Sequence, residues 1–345
     1  MRTSCLLAMA LFLALAAVFA CGSNGAGSGS SGDDDQSGDD DASPGADDDT
    51  GPAWRAMTSP TQNGLHGIWG ASSSDVFAVG FAGTILHCNG AAWSIMKTGD
   101  NTTLAAVWGL SATEVYAVGA DNATDAPVVV NYDGSTWSDV TTGLASPAPL
   151  NGVWGSSATD IYATCNGGQS GSGGGLYHYD GATWSMRSVT GESTTQTVWG
   201  LSASEVFVGG AGPVGSGVWR FDGATWTNPL NELANYVQGI WGSSATDVFA
   251  VGAGGQIEHY DGSTWTPMFT GEAGAFNGVW GSSPTNVYAV VGPNPDILHY
   301  AGGSWAGTPD VEHGADNSLS AIWGASAEDI FAVGDAGAIL HYSAL

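Results

Sequence analysis

Basic residues are nearly absent from this chain. Five Lys and Arg stand against 33 Asp and Glu, a formal net charge of −28 at pH 7. Nucleic-acid surfaces cluster Lys and Arg over the phosphates. Nucleic acid is therefore excluded as a partner, and so are anionic lipid headgroups and strongly acidic glycans. Cysteine is scarce too, with four in 345 residues. Cys5 falls in a leader and Cys21 at its end, while Cys88 and Cys165 occupy non-adjacent repeats. No disulfide framework follows, and two buried, poorly reactive thiols are expected. No apolar run is long enough to span a bilayer. The run Leu6–Ala20 follows Arg2 and precedes a polar tract, the pattern of a signal peptide over residues 1–20.

The leader ends in Val18-Phe19-Ala20-Cys21, which resembles a lipobox. The resemblance implies lipidation of Cys21 and membrane association only through that lipid. Gly22 after the cysteine resembles the pattern of export to an outer membrane, at its surface or its periplasmic face. Residues 21–51 are Gly, Ser and three clusters, Asp33–Asp35, Asp39–Asp41 and Asp47–Asp49. With no apolar side chain larger than Ala or Pro, such a segment cannot bury enough surface to order. Like charge extends it, so it reads as an acidic stalk. A loose calcium-binding segment is the sharper alternative, although the full EF-hand pattern is missing. No other cofactor is implied.

What the chain has in abundance is one sentence repeated seven times. The fifth copy, Gly239 to Trp265, reads GIWGSSATDVFAVGAGGQIEHYDGSTW. The first Trp of each copy is Trp69, Trp108, Trp154, Trp199, Trp241, Trp280 and Trp323; the second is Trp54, Trp93, Trp137, Trp184, Trp226, Trp265 and Trp305. Only Trp219 stands outside this scheme among the 15 tryptophans. A period of about 42 residues with four short apolar runs is the signature of a propeller blade. In the fifth copy, strand A is expected around Val237–Trp241, B at Asp247–Val251, C at Gln256–Tyr260 and D at Thr264–Met268. Strand B is apolar on both faces, as stacked sheets require, and Asp-Gly marks the C–D hairpin.

The last copy stops after strand C at His341-Tyr342, and the first Trp54 has only a strand D context. Trp54 is therefore expected to supply strand D to the blade begun at Leu319, closing the ring and removing free sheet edges. The fold class is all-β: a seven-bladed β-propeller of four-stranded antiparallel blades over residues 52–345, with six or eight blades as the alternatives. The repeats resemble the WD-repeat/YVTN/BNR-like propellers of bacterial surface proteins. They depart from a strict WD repeat, which ends strand C in Trp-Asp. YDGSTW also lacks one residue of the sialidase Asp box, so the resemblance implies architecture and no catalytic residue.

Repetition also weighs on the polar residues. His87, His178, His259, His299 and His341 share one strand C position, with Asn131 and Arg220 in the other copies. Spread around a ring, they cannot converge on a metal, so hydrogen bonds within each blade are expected. His66 and His313 stand apart with no evident partner. The acids before strand B (Asp75, Glu114, Asp160, Glu205, Asp247, Asp329, with Asn286 in one copy) are expected to bond nearby backbone. Asp133, Asp180, Asp222 and Asp261 at the C–D turn read the same way. The Trp rings read as packing between blades.

Variation collects in the B–C connections Gly119–Pro127, Asn166–Gly175 and Gly209–Gly217. It also collects in the D–A connections Thr98–Thr103, Thr141–Leu150, Pro229–Tyr236 and Gly307–Ser318. In an antiparallel meander these emerge on one face, and binding residues belong on variable loops over a rigid scaffold. The candidate ligand-binding residues are Asp100, Asp121, Asp125, Glu192, Glu232, Tyr236, Glu272, Asp310, Glu312 and Asp316. No catalytic or metal-ligating set emerges. The expected function is a surface-tethered, monomeric, non-catalytic binding or scaffold module whose ligand is a protein or neutral glycan. A glycan-active enzyme, sialidase-like or polysaccharide-cleaving, is the alternative; it needs a carboxylate pair that no pattern selects. A periplasmic assembly factor differs from the first reading mainly in which way the anchor faces.

Overall fold

The computed structural model shows each blade as one sheet packed between two neighbours. It describes residues 52–141, 143–144, 149–166, 175–187, 189, 194–212, 215–233, 236–292, 297–308 and 318–344. The leader, Cys21, the acidic stretch to residue 51 and His313 lie outside the described residues. Seven four-stranded antiparallel sheets form, each in simple meander order. The innermost strands are Leu65–Ser72, Thr102–Ser111, Leu150–Ser157, Thr194–Ser202, Val237–Ser244, Ala275–Ser283 and Leu319–Ser326. In the fifth blade the remaining strands are Asp247–Gly252, Gln256–Tyr260 and Trp265–Met268, as the repeat predicts. Val248, Phe249, Ala250 and Val251 are all buried, because both faces of the second strand meet a neighbouring blade.

Closure follows the expected route. Ala53–Ala56 pairs antiparallel with Ile339–Ser343, setting Trp54 opposite Tyr342. The Arg55 guanidinium donates to the Ser343 carbonyl at 2.8 Å, and Trp54 is buried.

The Trp-Gly pair has a geometric reason. The ring of each first Trp lies over the glycine of the next blade's pair. A Cβ on Gly70, Gly109, Gly155, Gly200, Gly242, Gly281 or Gly324 would stand 2.6–2.9 Å from the preceding blade's Trp ring. Trp323 of the seventh blade sits over Gly70 of the first, so the seating runs unbroken around the ring. In six blades the second Trp packs within its own blade on the aromatic residue before the C–D turn; in the first, Cys88 takes that place opposite Trp93. Ring centroids lie 5.3 Å apart for Tyr132–Trp137, 5.1 Å for Tyr260–Trp265 and 5.4 Å across the closure for Tyr342–Trp54.

The repeated polar residues pair with each other. Nε2 of His178, His259 and His341 lies 2.7 Å from Oδ1 of Asp160, Asp247 and Asp329, and His87 reaches Asp75 at 3.3 Å. Where the acid is Glu114 the partner is Asn131; where it is Glu205 the partner is Arg220; and His299 meets Asn286 at 2.6 Å. The acid therefore bonds across two strands rather than to nearby backbone. The turn is instead tied by the preceding serine, as where Ser244 Oγ accepts from the Thr246 N–H. The C–D aspartates do bond the backbone as expected. Asp133 Oδ1 accepts from the N–H groups of Ser135 and Thr136, holding its carboxyl down at about 2.

Two connections expected to be loops are partly strand. Glu205–Gly212 and Gly215–Phe221 continue the hairpin through Gly210↔Gly217 and Ala211↔Ser216. A Cβ on Gly210 would lie 2.2 Å from the Thr194 carbonyl, so this glycine allows strands to approach closely rather than a chain to wander. Likewise Trp226–Leu233 runs on as strand through much of the stretch read as a D–A loop.

Cys88 and Cys165 are buried free thiols. Burial pushes both up, Cys165 to about 11, which leaves them unreactive.

Candidate binding site at the axial mouth

Two register slips recur between the first two strands of every blade, one beside the A–B turn, as at Gly70/Ser72, and one at the opposite end. The latter falls at Leu65/Gly67, Leu104/Ala106, Leu150/Gly152, Thr195/Thr197, Val237/Gly239, Phe276/Gly278 and Leu319/Ala321. The residue skipped there has no partner across the ladder. A β-bulge of this kind re-aims a side chain. The seven bulged residues are His66, Ala105, Asn151, Gln196, Gln238, Asn277 and Ser320, and all line one axial cavity of about 720 Å³. Each stands near the start of an innermost strand, on the face where the D–A connections arrive.

The next positions inward are small: Gly67, Ala106, Gly152, Thr197, Gly239, Gly278 and Ala321. Here neighbouring innermost strands nearly touch, and a Cβ on Gly67 would lie 2.9 Å from the Ala106 Cα. Below them Ile68, Val107, Val153, Val198, Ile240, Val279 and Ile322, each 6–8% exposed, make an apolar floor. The cavity is thus graded from polar mouth to apolar base.

The mouth is rich in amides and carries no carboxylate among its bulged residues. Asn277 Nδ2 donates to the Leu319 carbonyl at 2.8 Å and Asn151 Nδ2 to that of Thr195 at 3.4 Å, both across a blade boundary. Those bonds fix the amides and leave their carbonyl oxygens for other partners. His66 packs edge-to-face on Phe81 at 4.4 Å. Burial pushes its pKa down against the pull of Asp335, which favours the neutral imidazole. Its Nε2 is buried without a hydrogen-bond partner among the described residues. Tyr236 lines the mouth at 49% exposed; Phe81 at 46% and Phe269 at 91% lie in connections on the same face.

Of the residues the sequence proposed, Tyr236 is at the mouth itself. Asp100, Asp121 and Asp125 gather at the boundary of the first and second blades. Burial opposes the Asp100 charge, yet bonds from Lys97 and Thr102 hold its carboxyl below the ordinary value. Asp121 accepts from Thr124 Oγ1 at 2.8 Å and from the Ala123 N–H at 3.0 Å, which lowers it too. Asp125 holds a left-handed φ of 55°. Glu272 stands at the boundary of the fifth and sixth blades, and Glu232 falls in the outermost strand Trp226–Leu233. Glu192, Asp310, Glu312 and Asp316 lie outside the described residues. Three of the described acids therefore share one boundary, while Glu232 and Glu272 stand elsewhere in the ring. Among the described residues no three metal-ligating side chains come together.

The bulged ring went unread in the sequence, though a signal was there. With the copies aligned on the first Trp, the third residue before it reads His, Ala, Asn, Gln, Gln, Asn, Ser, while the position before it is apolar in all copies but one and the position after it is Gly or Ala in all but one.

No family model matches the sequence, and no curated protein matches it. Solved structures do match in fold. YCF48 bound to D1 peptide aligns with a TM-score of 0.66 at 16% identity, covering 84% of this chain and 96% of that one. A catalytically inactive variant of virginiamycin B lyase from Staphylococcus aureus with quinupristin gives 0.70 at 12% identity over 85% and 100%. The RRP9 WD40 repeats give 0.68 at 8% identity over 85% and 98%. These likenesses establish the β-propeller fold.

Proposed function

We propose that this protein is a non-catalytic binding propeller, held at an outer membrane by lipidated Cys21 and an acidic stalk. Its axial mouth and the surrounding B–C and D–A connections receive a segment of a partner protein. The observation that carries this reading is the bulged ring. All seven blades use a bulge in the innermost strand to aim mostly uncharged hydrogen-bonding groups at a single cavity. Amide side chains offer donors and acceptors together, which matches the alternating N–H and C=O of polypeptide. Exposed Tyr236, Phe81 and Phe269 supply the aromatic anchors on which protein interfaces concentrate affinity. One structural neighbour of the same fold, YCF48, is bound to a peptide. The glycan-active alternative would have to rest on the group Asp100, Asp121 and Asp125, where Asp100 is already held by Lys97 and Thr102 and Asp121 by Thr124 and the Ala123 N–H.

The test is a peptide-library screen and a glycan array run in parallel on the purified protein and on a Gln196→Leu, Gln238→Leu double variant. Selective peptide binding lost in the variant supports the reading. Binding of one neutral sugar class instead, lost in the same variant, keeps the site and replaces the ligand. Binding unaffected by the variant rejects the site.

A further inference from the structure

Basic side chains are so few that each can be followed individually. Lys97 pairs with Asp100, Arg220 with Glu205, and Arg55 bonds the closing strand. Arg187 has no carboxylate partner among the described residues. Its Nη2 donates to His178 Nδ1 at 3.2 Å, and His178 Nε2 in turn meets Asp160. Most of its five N–H donors are left over.

The place of Arg187 is apolar in four of the other six blades, the exceptions being Lys97 opposite Ile85 and Thr308 beside Ile297. Arg187 faces Leu176 on the outermost strand, the place held by Met268 opposite Ile257 in the fifth blade and by Met57 beside Ile339 in the seventh. Those methionines pack against the core between blades, whereas Arg187 is exposed.

The aromatic seam between blades changes at the same point. At four boundaries a second-strand aromatic touches the next blade's rings, as for Phe77–Tyr132 and Phe249–Tyr300, both at 5.8 Å, and Tyr288–Tyr342 and Phe331–Trp93, both at 6.2 Å. Between the fourth and fifth blades the Arg220 guanidinium fills the gap, 5.7 Å from the Phe207 centroid and 5.9 Å from that of Tyr260. Between the third and fourth, Tyr162 faces Phe221 and Trp226 across a cleft of about 460 Å³, with His178 and Arg187 completing the wall.

We infer that this cleft is a second binding site, for a planar aromatic carboxylate. The ring enters the slot between Tyr162 and the Phe221–Trp226 pair, the space a planar guanidinium occupies one boundary on. The carboxylate takes a forked pair of hydrogen bonds from Arg187, the geometry in which a guanidinium binds best. A free aromatic acid and a polypeptide ending in an aromatic residue present this same chemistry.

Calorimetric titration of the protein at about 0.15 M salt, where the Debye length is about 8 Å and the net negative field is screened, tests it. The probes are benzoate, benzamide, cyclohexanecarboxylate, and a short peptide ending in Phe with a free or amidated carboxyl. Saturable binding of benzoate is expected, with benzamide and cyclohexanecarboxylate clearly weaker. Arg187→Met copies the residue of two sister blades and so keeps the fold; it should weaken benzoate about 10-fold or more, the scale of hydrogen bonds to a charged group. Tighter binding of the free-carboxyl peptide than of benzoate supports the site and names a polypeptide terminus as its source. Absence of saturable benzoate binding, equal binding of benzamide, or full affinity in Arg187→Met overturns the inference.

Discussion

At the scale of single residues, the repeat keeps an interaction rather than an amino acid. The pair that ties the second strand to the third appears as Asp–His, Glu–Asn, Glu–Arg and Asn–His. The Asn–His version gives a pH prediction. Burial lowers the His299 pKa, and its partner Asn286 is neutral. A folded-state pKa below the unfolded value means that the unfolded chain binds more protons near and below pH 6.5, so stability falls as pH drops through that range. Asn286→Asp supplies a negative partner. It should raise the His299 pKa and reduce the acid-side loss. NMR titration of the imidazole protons measures the first and thermal melts from about pH 7.5 to 5 the second; an unmoved pKa would contradict the assignment of this pair.

At the scale of elements, the Trp-Gly seat links each blade to the next. Gly281→Ala places a methyl 2.6 Å from the Trp241 ring, and overpacking of this kind costs about 1–3 kcal/mol. The same change at the exposed Gly271 is no control, because its φ is 84°; Gly303, with open space at its Cβ, is the better one. Denaturant unfolding of the two variants should separate them clearly. The strands of the fifth blade were legible in advance because their pattern follows burial: four consecutive apolar residues in the second strand and alternation elsewhere. The bulged ring was not, because a bulge is set by how seven strands crowd an axis, a fact absent from any one copy. The stretch Gly209–Gly217 misled for a related reason: glycine marks both a free chain and a close strand contact, and composition cannot tell these apart.

At the scale of the whole molecule, closure was legible from the ends alone, since Trp54 supplied the strand that the last copy lacked. Trp54 is 4% exposed and packs tilted against Tyr342 and edge-to-face against Tyr288. Trp54→Ala should therefore cost about 3–5 kcal/mol, and the loss should spread through the ring because the seventh blade's Trp323 also seats on the first. Hydrogen exchange that quickens only in Ala53–Ala56 would contradict a cooperative ring. The two faces of that ring differ in kind. One carries near-invariant turns tied by Ser and Asp. The other carries the variable connections, the exposed aromatics and the mouth. Site-specific photo-crosslinking tests the resulting claim most directly, with the reactive residue at 238 in the mouth or at 135 in a turn of the opposite face, in cells that make the protein. Discrete protein adducts from position 238, absent from position 135, are predicted. Equal adducts from both positions, or adducts from 135 alone, would contradict the assignment of the binding face.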